Sequence, residues 1–208
     1  MPQEGIPIII SAPSGAGKTT ICQSLKQRLP DLDFSVSHTT RPPREGEQDG
    51  VAYHFVSTET FLAMTDRNEF LEWAKIHDHY YGTARKNIEA TLQQGKDLVL
   101  ELDVQGVESL RALKYQGVYV FILPPSMDEL NKRLTGRGTE SQNQIEKRLA
   151  VGREEISKSH LYDYVVTNVN VDESVDAVLA IIRAEKNRIG RYQPDCPEIQ
   201  KILDSEPT

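Results

Sequence analysis

The chain holds only two cysteines in 208 residues, Cys22 and Cys196, far apart and without metal-ligand spacing. That excludes a disulfide framework and suits a reducing compartment. No apolar run reaches the ~18 residues that a membrane helix needs. The opening Met1-Pro2-Gln3-Glu4 lacks the basic patch and long apolar stretch of a secretory signal, so the expected location is the cytoplasm. Internal repeats and low-complexity segments are missing too. Positive charge is short: 24 Lys and Arg against 31 Asp and Glu leave a formal charge of −7. General nucleic-acid binding needs a basic face, so neither nucleic acid nor membrane is expected as a partner. Small anions can still be held where cations cluster, which shifts attention from the sum of the charges to the positions of Arg and Lys. At 38% apolar and 26% charged the chain reads as globular, with one core and room for inserted subdomains.

The pattern opens strand, Gly-rich turn, helix. Residues 6–11 are a short apolar run, and Ile21, Leu25 and Leu29 then form one stripe of a helix over 18–29 that Pro30-Asp31 ends. From 35 to 95 the character changes: short β-type runs such as Tyr53-His54-Phe55-Val56, a turn-rich stretch from Arg41 to Gly50, and helical patterns near 58–67 and 84–94. Leu98–Leu102 and Val118–Leu123 read as buried strands, and Val165-Val166-Thr167-Asn168 as a last one. Strands alternating with helices predict a parallel α/β core. Ser126 with Glu129 and Ser141 with Gln144 have capping-box spacing, so 126–158 reads as two helices around the basic loop Gly136-Arg137-Gly138. Val175, Val178, Leu179 and Ile182 stripe a terminal helix, and the polar tail from Gln193 is expected to be loosely held.

Between the first strand and helix stands Ala12-Pro13-Ser14-Gly15-Ala16-Gly17-Lys18-Thr19. It fits the phosphate-loop (P-loop) pattern G-x-x-x-x-G-K-[ST], with Ala12 in place of the first Gly. Gly15 and Gly17 let backbone N–H groups turn inward to phosphate oxygens, and the helix start adds partial positive charge. Lys18 supplies a full charge and Thr19 a hydroxyl for magnesium. Such a loop implies a nucleoside triphosphate without naming the reaction. Asp103-Val104-Gln105-Gly106 fits the D-x-x-G of a GTPase, but the guanine-reading N-K-x-D is missing: Asn131-Lys132 is followed by Arg133-Leu134.

Ser37-His38-Thr39-Thr40-Arg41-Pro42-Pro43-Arg44 places two arginines three apart on a chain stiffened by prolines. Guanidinium forks bind phosphate oxygens bidentately, so this is a candidate anion clamp. Together with Tyr53, Phe70-Leu71-Glu72-Trp73-Ala74, Tyr80-Tyr81-Gly82-Thr83, Asp103-Val104-Gln105-Gly106, Arg133-Leu134 with Gly136-Arg137-Gly138, and Lys147-Arg148, it resembles the guanylate kinase family in order and spacing from about residue 6 to 190. The P-loop spelling looks like the bacterial branch.

The resemblance implies an α/β P-loop nucleoside monophosphate kinase fold. A parallel core sheet flanked by helices would carry an inserted GMP-binding subdomain and a helical lid. The expected boundaries are 1–37 core, 38–96 GMP subdomain, 97–125 core, 126–158 lid, 159–192 core and C-terminal helix, and 193–208 tail. The implied reaction is magnesium-dependent transfer of the ATP γ-phosphoryl group to GMP or dGMP. Arg41, Arg44, Tyr53 and Tyr81 would hold the GMP phosphate. Ser37, Glu72 and Thr83 would read guanine, with Asp103 assisting base recognition or a magnesium-bound water. Ala12, Pro13, Ser14, Gly15, Ala16, Gly17, Lys18, Thr19 and Thr20 would cradle ATP, with Asn168 near the adenine, although Asn168-Val169-Asn170 departs from the Asn-Asp-Asp frequent in related enzymes. Lys18, Arg137 and Arg148 would surround the transferring phosphoryl, with Arg133 a fourth candidate. Guanine presents N1–H and an exocyclic amine side by side, and a carboxylate accepts both, which makes Glu72 the right residue type. No histidine (38, 54, 77, 79, 160) receives a catalytic role. Some related domains are non-catalytic scaffolds attached to other domains, but here the ATP machinery of Lys18, Thr19, Arg137 and Arg148 is present, and no accessory domain is expected within 208 residues.

Overall fold

The computed structural model describes residues 4–76, 78–136, 141–192, 194, 196–203 and 205. Its centre is a parallel sheet of five strands in the order β2 (Asp33–Phe34), β7 (Leu98–Glu101), β1 (Pro7–Ser11), β8 (Val118–Leu123), β9 (Tyr164–Thr167). Along β1, Ile8 and Ile10 enter one buried cluster and Ile9 the other, because successive side chains in a strand face opposite sides. Helices cover both faces. α1 (Lys18–Arg28) and α7 (Val171–Lys186) bring Ile21, Leu25, Val175, Val178 and Ile182 to the first cluster. α3 (Arg85–Gln93) and α4 (Val104–Ala112) bring Ile88, Val107 and Leu110 to the second. A sheet covered on both sides explains why its strands read as unbroken apolar runs rather than alternations. β1 lies centrally, so Ser11 at its end stands between the ends of β7 and β8, where ligands bind in open parallel sheets.

A second sheet, in the order β4 (His54–Phe55), β3 (His38–Thr39), β6 (His79–Ala84), β5 (Phe70–Ile76), carries α2 (Thr58–Asp66) beside it. β5 and β6 form an antiparallel hairpin that the sequence periodicity does not separate. The reason is a register shift between Phe70 and Glu72. It lets three consecutive residues be buried: Phe70 stacks on Phe61 at 4.4 Å, Leu71 joins the core, and Glu72 enters the site.

α5 (Met127–Thr135) starts at Ser126, whose hydroxyl accepts the Glu129 N–H at 3.1 Å. α6 (Gln142–Ser157) starts at Ser141, whose N–H donates to the Gln144 side chain at 2.8 Å. Both spacings therefore mark real helix starts. Leu130, Leu134 and Ile145 form a small third cluster between these helices. Their connection, including Arg137, lies outside the described residues, as does His77.

The last strand ends at Thr167, so Asn168 follows it instead of belonging to it. One further ladder bond, Asn168 N–H to Leu123 O at 2.7 Å, still holds it. Asn170 caps α7, accepting the N–H groups of Asp172 and Glu173. In the tail, Pro197–Leu203 form a short helix, α8, that buries no residue. Among the described residues no helix is long and apolar enough to cross a membrane.

Candidate active site

The P-loop is shaped by two left-handed glycines, Gly15 (φ 95°) and Gly17 (φ 102°). At Gly17 even a methyl group would fall 2.3 Å from the Asn168 amide nitrogen. The loop is braced from behind: the Ala16 carbonyl accepts from the Asn168 side chain at 2.8 Å and from Arg133 Nη1 at 3.2 Å, and Arg133 Nη2 donates to the Asn168 carbonyl at 3.0 Å. Asn168 is 3% exposed, and its side-chain oxygen accepts from Ser174. Both residues thus hold the loop's shape from inside the protein. α1 has no acidic residue in its first turn and no side-chain cap, so its N-terminal positive end is left for an anion.

In front of the loop lies a cavity of about 550 Å³ lined by Ala12 to Gly15, Gly17 to Thr20, Asp103, Gln105, Lys147, Arg148 and Glu155. Ala16 is the one residue of the predicted ATP loop that faces away from it. Lys18 donates from Nζ to Leu102 O at 2.8 Å. Arg148 donates from Nη2 to Ser14 Oγ at 2.6 Å, and Glu155 accepts the Ser14 N–H at 3.4 Å. Burial pushes the Glu155 carboxyl up, and the Asp103 charge adds to the rise while the Ser14 bond opposes it. No sequence pattern singles out Glu155; only the packing of α6 against the loop does.

A second cavity, about 780 Å³, is lined by Ser37, Arg44, Tyr53, Glu72, Tyr81, Gly82 and Glu101. It shares Ser14, Lys18, Asp103 and Arg148 with the first. Two chambers therefore open onto one lysine and one arginine. Asp103 caps α4, accepting the Gly106 N–H at 2.8 Å.

The predicted base-reading residues form a chain of hydrogen bonds. Thr83, 1% exposed, donates to Glu72 Oε1 at 2.5 Å, so the Ser37 hydroxyl, 3.2 Å away, donates to Thr83. Burial pushes the Glu72 carboxyl up to about 7; the Thr83 bond opposes the shift and the Asp103 charge adds to it. Arg41 stands apart. Its guanidinium is held bidentately by Glu47, both contacts at 2.9 Å, and lies outside the cavity lining. Glu47 also accepts the Arg44 N–H at 2.7 Å and so closes the whole loop. Arg44 does line the cavity, with Tyr53 and Tyr81 beside it. Glu47 is a residue that sequence reasoning missed. An acidic side chain three residues past a basic pair in a turn is the signal that could have found it.

The raised Glu72 carboxyl has a consequence for stability. Between its unfolded value near 4.5 and the folded value near 7, the folded protein binds the extra proton, so stability falls as pH rises through that window. At about 1.4 kcal/mol per unit, the loss is on the order of 3 kcal/mol above it. Glu72→Gln removes the buried charge. It is expected to raise the ligand-free melting temperature at pH 8 and to change it little at pH 4.5. An equal shift at both pH values would show that the carboxyl is not held neutral by its surroundings.

A parallel sheet with a P-loop at its carboxyl edge, and a second chamber with Arg44 and Glu72 in its lining that opens on the same lysine, defines the class of P-loop kinases that act on nucleoside monophosphates. Comparison with known proteins agrees. The guanylate kinase family model matches residues 4–185. The guanylate kinase of Caldanaerobacter subterraneus is 49% identical over 91% of this chain and 92% of its own, and that of Clostridioides difficile 44% over 92% and 93%. The crystal structure of guanylate kinase from Anaplasma phagocytophilum superposes with a TM-score of 0.74 at 33% identity, covering 91% of this chain and 90% of that one. A fragment of tight junction protein 3, at 14% identity and a TM-score of 0.50 over 89% of this chain and 59% of its own, shares the fold alone. The chain belongs to the guanylate kinase family of nucleoside monophosphate kinases.

Proposed function

We propose that this protein transfers the γ-phosphoryl group of ATP to GMP, or to dGMP, giving ADP and GDP. One observation carries the reading: two chambers of nucleotide size share Lys18, Asp103 and Arg148. Phosphoryl transfer needs alignment and charge neutralisation more than covalent help from the protein. The chamber of the P-loop takes the triphosphate on the free N–H groups of the loop and α1. The other takes GMP, its phosphate toward Arg44, Tyr53 and Tyr81 and its base toward Glu72. Arg41 either leaves Glu47 to join that phosphate or works from behind, lending charge. The carboxylate of Glu72 accepts the guanine N1–H and amine, whereas adenine offers a lone pair at N1 that repels it. Ser37 and Thr83 orient the carboxylate.

Among the described residues no cluster of three His, Cys, Asp or Glu could hold a metal. A lone Thr19 hydroxyl beside the phosphates suits magnesium, which keeps most of its water and arrives with the nucleotide. Bound there, it would spread the charge of the β- and γ-phosphates. Lys18 and Arg148 neutralise the remainder, joined by Arg137 from the loop outside the described residues. Segments 38–96 and 126–158 are the proposed closing bodies. Closing them excludes the water that would otherwise hydrolyse ATP. The paucity of cysteine is the reason to place the reaction in the cytoplasm.

The test is ADP release from ATP and magnesium with GMP, dGMP, AMP, UMP and CMP offered separately. Turnover with the guanine nucleotides alone is expected. Turnover with another base would discard the Glu72 reading and keep the kinase. No turnover in a folded sample would leave a binding module.

A further inference from the structure

Glycine within a helix costs about 1 kcal/mol relative to alanine, so Gly106 in the first turn of α4 calls for a reason. A β-carbon built there would stand 2.8 Å from Glu72 Oε2 and 3.3 Å from Asp103 Oδ1. Other described glycines border different things. At Gly82 the obstacles are the Phe61 and Phe70 rings, at Gly15 the leucines of α5, at Gly5 the Lys96 backbone, and at Gly117 the Ile9 side chain and the Pro7 carbonyl. At Gly106 they are the two carboxylates of the site.

Both carboxylates line the second chamber, so what room they have lies on that side. Glu72 is 7% exposed and pinned on its other oxygen by Thr83, while Asp103 is tied to the Gly106 N–H itself. The Glu72 carboxylate also rests over the N-terminal end of α4, where partial positive charge favours an anion. The hairpin carrying Glu72 and the core helix α4 thus meet at a spot kept bare of side chain.

We propose that Gly106 is a positioning residue for base selection: the missing side chain is the seat that sets where the Glu72 carboxylate meets the edge of guanine. The proposal rests on Glu72 as the guanine reader. A methyl group at the seat lifts the carboxylate toward the chamber and spoils its two-point match to N1–H and the amine. Inosine monophosphate, whose base lacks the amine, loses less, so selectivity falls along with affinity.

Gly106→Ala is expected to raise KM for GMP about 10- to 100-fold, the scale of an ångström-level misplacement. KM for ATP should stay within about twofold, kcat should change far less than KM for GMP, and the preference for GMP over inosine monophosphate should shrink. In a Glu72→Ala background the methyl group loses its closest obstacle and meets only Asp103 Oδ1 at 3.3 Å. There Gly106→Ala should leave KM for GMP as it is with Glu72→Ala alone, and should fold even if the single variant does not. A double variant that also fails to fold, or a folded single variant with normal KM for GMP and normal selectivity, would overturn the proposal. Glu72→Gln serves as the control. If it impairs GMP use while Gly106→Ala does not, only the seat is lost; if Glu72→Gln leaves GMP use unchanged, the guanine reading falls and the seat with it.

Discussion

Lys18→Ala is expected to lower turnover by about 10³-fold or more while the protein stays folded. The side chain makes one described hydrogen bond, to the Leu102 carbonyl just past β7, and a bond from a charged donor contributes about 1.5–3 kcal/mol to stability, a loss that a folded domain can bear. Its position where the chambers join is what gives the lysine its expected weight. With ATP bound, Nζ would exchange the carbonyl for phosphate oxygen and follow the group as charge shifts during transfer. Initial rates together with a thermal melt measure both halves of the expectation. Near-normal turnover would remove the P-loop lysine from the mechanism; loss of the melt would make the rate uninterpretable as chemistry.

The second large effect is expected at Arg148. This residue of α6 donates to Ser14 Oγ and borders both chambers, so it would stand beside donor and acceptor phosphates alike. Arg148→Ala should lower kcat by about 10²- to 10³-fold and change either KM much less, because the interaction grows as the phosphoryl moves between the nucleotides. Arg148→Lys keeps the charge but loses the planar fork, and should fall between the two. A variant with kcat intact and KM for ATP raised would place Arg148 in ground-state binding.

The core and the P-loop are legible because their signals are local. An apolar run, glycines at fixed offsets and capping-box serines each act over a few residues, and Ser126 and Ser141 start helices as their spacing predicts. What escapes is set by distant partners. The grip of Glu47 on Arg41 depends on how a turn folds back. The β5–β6 hairpin hides because its register shift buries Phe70, Leu71 and Glu72 together and erases the alternation. The brace that Asn168 puts on Ala16 is fixed by the approach of β9 to the P-loop across more than a hundred residues of chain. Gly106 reads from sequence as the last letter of a four-residue motif; only the arrival of Glu72 from another sheet gives its bareness a use.

The three buried clusters are unequal. Among the described residues, the one between α5 and α6 has three buried members, Leu130, Leu134 and Ile145, against eighteen and nine in the clusters of the main sheet. So small a satellite has little apolar burial of its own to hold its amides shut, and regions of that kind open at lower free energy than the whole. The α5–α6 pair should therefore be a separate cooperative unit, exchanging its backbone hydrogens with solvent far sooner than β1 or β8 in the empty protein. Leu134 and Leu130 press against Gly15, and Arg133 grips Ala16, so a nucleotide that stiffens the loop should slow that exchange from a distance. Identical exchange in the α5–α6 pair and in β1 would mean that the unit melts only with the whole protein.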